Sequence, residues 1–102
     1  ALRIPQGLLY RLVMIIPNLE VTTPKITAML EELGAKKAGN VELGWQKDKG
    51  RYYHFSLPAE NEKKLMEGLQ VYGPVRISKD KHDRVMPPGQ LRFILWVEPK
   101  EE

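Results

Sequence analysis

The chain has no cysteine among its 102 residues. That absence removes disulfides, thiolate zinc sites and thiol nucleophiles from the chemistry open to it. Histidine is nearly as scarce, with one at position 54 and one at 82. The two fall in different predicted elements, with no His-x-x-x-His spacing and no carboxylate cluster, so neither marks a metal site. Long apolar runs are also missing. The longest, Leu12 to Ile16, is strand length and falls far short of the roughly 20 residues that carry a helix across a bilayer. There is no glycine-rich phosphate cradle and no nucleophile elbow around Ser56. No enzymatic activity and no cofactor are expected. Charge of one sign is not concentrated either. The 16 Lys and Arg residues against 13 Asp and Glu leave a net charge of +3, and basic runs stop at the pairs Lys36-Lys37 and Lys63-Lys64. Nucleic-acid domains gather their basic residues on one face, so this dispersal argues against such a partner.

What is present is an ordinary globular composition, 42% hydrophobic and 28% charged, in a length that fits one domain. The chain begins at alanine and reads either as a mature product or as a domain of a longer protein. Residues 1–9, "ALRIPQGLL", have no clear period and read as a lead-in or linker. "YRLVMIIP" (10–17) is nearly all apolar, which suits a central strand covered on both faces. In "VTTPKITAMLEELGA", Thr23 is the expected cap and Pro24 the first turn of a helix. Ile26, Met29, Leu30 and Leu33 form its apolar stripe, and Gly34 stops it.

"AGNVELGWQKDKGRYYHFSLP" reads as a hairpin. Val41, Leu43 and Trp45 alternate with polar residues, and Gly50 supplies a positive φ in the turn. Pro58 opens a second helix with Leu65, Leu69 and Tyr72 buried and Met66 beside them. Gly68 inside it permits close packing on the sheet, and Gly73-Pro74 ends it. "VRISKDKH" (75–82) is a charged edge strand, "DRVMPPGQ" (83–90) a loop, and "LRFILWVEP" (91–99) a strong strand. Residues 99–102 are a solvated tail. The predicted fold is α+β: a ferredoxin-like βαββαβ domain over residues 10–98 with an additional C-terminal strand. Two helices cover one face of an antiparallel sheet.

Alternation then sorts the sheet residues by face. Val41, Leu43, Trp45, Phe55, Leu57, Phe93, Leu95 and Val97 are expected to meet the helices. The open face receives Gln46, Tyr52, His54, Ser56, Arg92, Ile94 and Trp96, with either Val13 and Ile15 or Leu12, Met14 and Ile16. Of these, Tyr52, His54, Arg92, Ile94 and Trp96 are the candidate interaction residues. Such a mixed, centrally apolar surface suits a protein partner or self-association, since aromatic anchors are favoured at interfaces. Cover by Leu2, Ile4, Leu8 and Leu9 of the lead-in is the competing explanation. RNA binding is a weaker one. "KGRYYHFSL" has a likeness to RNA-recognition strands, but Arg51 stands where the first aromatic should follow Gly50, and the first strand has no aromatic motif. Ferredoxin-like acylphosphatases need an arginine in the loop after the first strand, and "PNLEVTTP" has none. Small-molecule regulatory domains of ACT type place a glycine there. "PNLEVTTP" lacks one, and this reading, with a pocket at Asn18–Thr23 or at a domain interface, is the runner-up, ahead of RNA binding.

Three stretches, "YRLVMIIPNLEVTTPKITAMLEELGAKK", "FSLPAENEKKLMEGLQVYGPVRISKD" and "LRFILWVEP", together resemble a known group. It is the uncharacterised extracytoplasmic C-terminal domain of bacterial zinc-finger anti-sigma-factor-like membrane proteins. The resemblance spans residues 10–98. It implies an interaction or signal-sensing domain, periplasmic or otherwise extracytoplasmic, in a parent anchored to the membrane upstream. It assigns no catalytic or ligand residues. The zinc-finger residues of such parents are absent here, so it concerns the distal domain alone.

Overall fold

A computed structural model describes residues 7–82 and 87–100 of the chain. Residues 83–86 of the expected 83–90 loop, and residues 1–6 of the 1–9 segment that was a candidate cover for the open face, lie outside the described residues.

The first strand, β1 (Gly7–Ile16), starts three residues before the expected boundary and takes Gly7, Leu8 and Leu9 from the segment read as a lead-in. Leu12, Met14 and Ile16 are buried beneath the helices, while Val13 and Ile15 face the other way and are exposed. The choice between the two alternations of this strand is thereby settled.

Helix α1 (Leu19–Glu32) begins earlier than the expected cap at Thr23. Asn18 takes a left-handed conformation (φ 55°, ψ 65°) and turns the chain directly from the strand into the helix. Leu19 is buried in the core, which favours helix from that point. Pro24 therefore sits inside the helix rather than at its first turn. The Thr22 backbone and hydroxyl both donate to the Asn18 carbonyl, at 3.2 and 3.1 Å. The C-terminus closes as expected at Gly34 (φ 86°). There Ala35 N–H donates to Leu30 O and Gly34 N–H to Glu31 O, the paired bonds of a Schellman stop.

Three strands follow: β2 (Lys36–Lys37), β3 (Trp45–Lys47) and β4 (Gly50–Pro58). The expected continuous hairpin arm from Val41 is instead interrupted, because Gly44 takes φ 81° and breaks the alternation. The turn between β3 and β4 is the pair Asp48-Lys49. Asp48, not Gly50, carries the positive φ, of 53°. Asp tolerates that region through its short polar side chain.

A short 3-10 turn (Ala59–Asn61) leads into α2 (Glu62–Gln70), so Pro58 closes the strand rather than opening the helix. Leu65 and Leu69 are fully buried. The Asn61 side-chain amide donates to Leu33 O at 2.7 Å and ties the end of α1 to the start of α2. Gly68 does allow close packing, but against α1. A Cβ there would collide with the Met29 sulfur.

β5 (Val75–His82) and β6 (Gln90–Pro99) complete a six-stranded sheet in the order β2-β4-β6-β1-β5, with β3 pairing to β4 beside β2. β5 is an edge strand. β6 lies between β1 and β4, parallel to β1 and antiparallel to β4. The expected antiparallel sheet is thus corrected to a mixed one. A ferredoxin-like arrangement would seat β1 directly against β4, and here β6 separates them. The physical reason is visible in β6 itself. Phe93, Leu95 and Val97 are buried on one face, and Ile94 and Trp96 are half-buried on the other. A strand apolar on both sides is best placed where both of its edges and both of its faces are covered. Tyr10, Leu12, Met14 and Ile16 join Tyr53, Phe55, Leu57 and the β6 residues in one core with Leu19, Ile26, Leu30, Leu65 and Leu69 of the helices. The architecture is α+β, two helices on one face of the sheet.

Candidate functional site

Strand pairing lines up the residues of the helix-free face in rows. One row reads Trp45, Tyr52, Trp96, Val13, Arg76 across β3, β4, β6, β1 and β5. The next reads His54, Ile94, Arg11, Ser78, and a third Ser56, Arg92, Leu9, Asp80. Beyond Trp96, Glu98 stands beside Ile15.

Trp45 was expected beneath the helices and is instead 45% exposed on this face, opposite Tyr52. Gln46, opposite Arg51, correspondingly leaves it. The Gly44 kink explains both changes. One residue of offset turns every following side chain to the other side of a strand.

Trp96 reaches across to Gly50 on β4, where an added Cβ would sit 2.5 Å from two of its ring carbons. Its indole Nε1 donates to Glu98 Oε1 at 2.7 Å. The ring is therefore held between Glu98 on its own strand and Gly50 on β4. The Tyr52 ring instead meets His54 edge-on, at 6.4 Å between centroids. A shallow depression of about 320 Å³ is left between Tyr52 and Trp96, with Ile94, Arg11, Lys47 and Asp48 around it. Another of about 690 Å³ runs past Ile15, Trp96 and Glu98 to the Asp48–Gly50 turn. These are dents in a broad surface. Ligand sites for small molecules are clefts that enclose most of their occupant.

The five expected face residues divide in two. Tyr52, Ile94 and Trp96 are half-buried and flank these dents. His54 and Arg92 are each only 9% exposed. Arg92 Nε donates to His54 Nε2 at 2.7 Å, so Nε2 is the unprotonated nitrogen of a neutral imidazole. The other side of the ring packs on Gly39, where a Cβ would come within 2.8 Å of Nδ1. This pair holds loop 38–44 against β4, helped by Ala38 N–H donating to His54 O at 2.9 Å.

Sequence reading also left Arg11 and Arg76 off the face. Arg11 pairs with Asp80 at 2.6 Å, both about half exposed. Such a surface pair stabilises by under about 1 kcal/mol.

On the helix side, Tyr53 is fully buried and its hydroxyl donates to Thr23 O at 3.4 Å, a carbonyl that also accepts from Thr27 Oγ1 at 3.0 Å. Burial pushes the Tyr53 phenol above its ordinary range, outweighing the hydroxyls of Thr27 and Thr23 and the charge of Arg51. The Asn18–Thr23 segment, proposed above as a ligand loop, is the first turn of α1, closed on Asn18 O. Among the described residues no three metal-ligating side chains come together, and no helix is long and apolar enough to cross a membrane. No family model, curated protein or solved structure matches the chain.

Proposed function

We propose that this domain is a non-enzymatic protein-interaction module whose working surface is the helix-free face of the sheet. The observation that carries the reading is the row Trp45, Tyr52, Trp96, Val13, with Ile15 beside it. Trp45, Val13 and Ile15 are 45%, 36% and 53% exposed along this face, from the β3 edge to the centre of the sheet. Scattered exposed apolar residues need no explanation, whereas a contiguous aromatic and aliphatic patch with charges at its margin has the make-up of a protein interface. The frame is read as a ferredoxin-like βαββαβ order opened to admit β6 at its centre. Under the anti-sigma-like resemblance, the domain stands outside the cytoplasm as part of a larger bacterial membrane protein. A docked partner would then bias the parent's state through its preference for one conformation.

A photo-crosslinking amino acid at Trp96, in the parent protein in its own cell, tests the reading. The same probe at Val71, 79% exposed on the helix side, serves as control. Discrete protein adducts are expected from position 96 and not from 71. Equal yields from both, or none from 96, would overturn it.

A further inference from the structure

β5 closes one side of the sheet as a long, regular edge. It pairs with β1 residue for residue from Val75 to His82, with no bulge and no proline. Among the described residues no strand lies along its outer side. In an antiparallel ladder the N–H and C=O of every second residue point to the same side, so half of the β5 backbone groups face outward. Natural sheets blunt such edges with short strands, bulges, proline or charge. The opposite side of this sheet is broken into strands of two and three residues. β5 relies on charge alone.

That charge is mostly of one sign. β5 carries Arg76, Lys79 and Lys81 against Asp80. The carboxylates beside these cations are engaged elsewhere. Asp80 accepts from Arg11 at 2.6 Å. Glu98, which shares a depression with Arg76, accepts from Trp96 Nε1. Lys79 lies over the Tyr10 ring, 5.1 Å from its centroid, and remains exposed. Arg76 and Lys81 are exposed and have no ion-pair partner among the described residues. Like charges directly opposite destabilise a strand pair, and opposite charges stabilise it. The β5 of a second copy would bring the same cations and be repelled. We propose that the outer edge of β5 takes an acidic, extended segment of another protein, which adds to the sheet as a further strand. This edge is separate from the helix-free face, and the two readings stand independently.

The two sides of β5 set the pattern of its occupant. Arg76, Ser78 and Asp80 share the helix-free side with their partners Val13, Arg11 and Leu9. Val75, Ile77, Lys79 and Lys81 share the helix side with Met14, Leu12, Tyr10 and Leu8, and Ile77 is half exposed there. A strand added in antiparallel register therefore needs acids opposite Lys81, Lys79 and Arg76. It needs an apolar residue opposite Ile77 and small polar residues opposite Asp80 and Ser78. Read from its N-terminus, that pattern is Glu-Thr-Glu-Thr-Val-Glu. Main-chain hydrogen bonds hold such a strand, and the side chains select it over a basic one.

The test is a titration of the ¹⁵N-labelled 102-residue chain with acetylated Glu-Thr-Glu-Thr-Val-Glu amide. It runs to roughly 1 mM peptide, the weak end of the affinity scale. Amide shifts are expected along Val75–His82, with hydrogen exchange slowed at every second amide of that strand. Two control peptides should bind at least about tenfold more weakly. One has lysine for every glutamate, and the other has Pro-Pro for Thr-Val, which cannot donate to the ladder. Lys79→Glu combined with Lys81→Glu changes two exposed positions, and circular dichroism verifies its fold. This variant should lose the acidic peptide and take up the lysine one. No shifts at that concentration, or equal binding of either control peptide, overturns the proposal. So do shifts without alternate protection of β5, or acidic-peptide binding that the double variant leaves intact. Shifts gathered on Tyr52, Ile94 and Trp96 would also overturn it while leaving the helix-free face as a working surface. Crosslinking from Trp96 tests that face alone.

Discussion

Gly50 and Trp96 show how a single contact shapes the face. Gly50 has no Cβ because the indole of Trp96 occupies that space, with Val97 O 2.7 Å from where a Cβ would be. Gly50→Ala should therefore destabilise the fold by about 1–3 kcal/mol, the usual cost of forcing volume into a packed site. Urea melts followed by tryptophan fluorescence would report it, and pairing with Trp96→Leu should recover part of the loss. Sequence reading placed a glycine here for a different reason, a turn with positive φ. Asp48 takes that conformation instead, and the true reason depends on a residue in the last strand that no local pattern reveals. Tyr53 makes a second prediction. Its phenol is raised, so the folded state holds the proton more tightly than the unfolded chain, whose phenol titrates at about 10. That stabilisation is fully present below pH 10 and is lost as pH climbs through the folded value. Stability should fall above pH 10, and Tyr53→Phe should flatten this part of the profile in pH-dependent denaturation.

Between elements, the helix pair rests on one glycine. Met29 on α1 crosses Gly68 on α2, where any side chain would displace its sulfur. Glycine in a helix interior costs up to about 1 kcal/mol relative to alanine. In the native background Gly68→Ala gains that propensity but pushes Met29 aside, so the net change should be small. With Met29→Ala already in place, the same substitution should stabilise by about 1 kcal/mol. The difference is a coupling energy, read from a double-mutant cycle of chemical melts. The stripe of α1, its glycine stop and the charged edge strand β5 were all legible in sequence, because each depends on neighbours a few residues apart. The start of α1 was not. The motif Thr23-Pro24 looks like a helix entrance, and only burial of Leu19 in the core moves the entrance back. Trp45 was misplaced for a related reason. Alternation was carried through Gly44, whose left-handed conformation resets it, and an aromatic anchor of the candidate site was assigned to the core.

The chain as a whole is organised around the strand it makes last. β6 pairs with β1 on one side and β4 on the other, so the first and last described strands lie side by side at the centre of the sheet. From sequence, an additional C-terminal strand has no assigned neighbour, since pairing partners lie far apart along the chain. Its apolar character on both faces was the available signal for a central place. The position has a consequence that an edge strand would not have. β6 brings Phe93, Leu95 and Val97 into the core, each fully or almost fully buried. Removing a buried large side chain costs about 2–5 kcal/mol, against a total stability of about 5–15 kcal/mol for a domain. It would also strip β1 and β4 of their hydrogen-bonding partner and leave both with an unpaired edge in the interior. A chain ending at Gly89 should therefore lose its fold altogether, with no near-ultraviolet circular dichroism and no cooperative melt. Were β6 dispensable at an edge, the same truncation would keep a five-stranded sheet under its two helices and a sharp, lowered transition. A thermal scan of the truncated chain beside the full one separates the two outcomes.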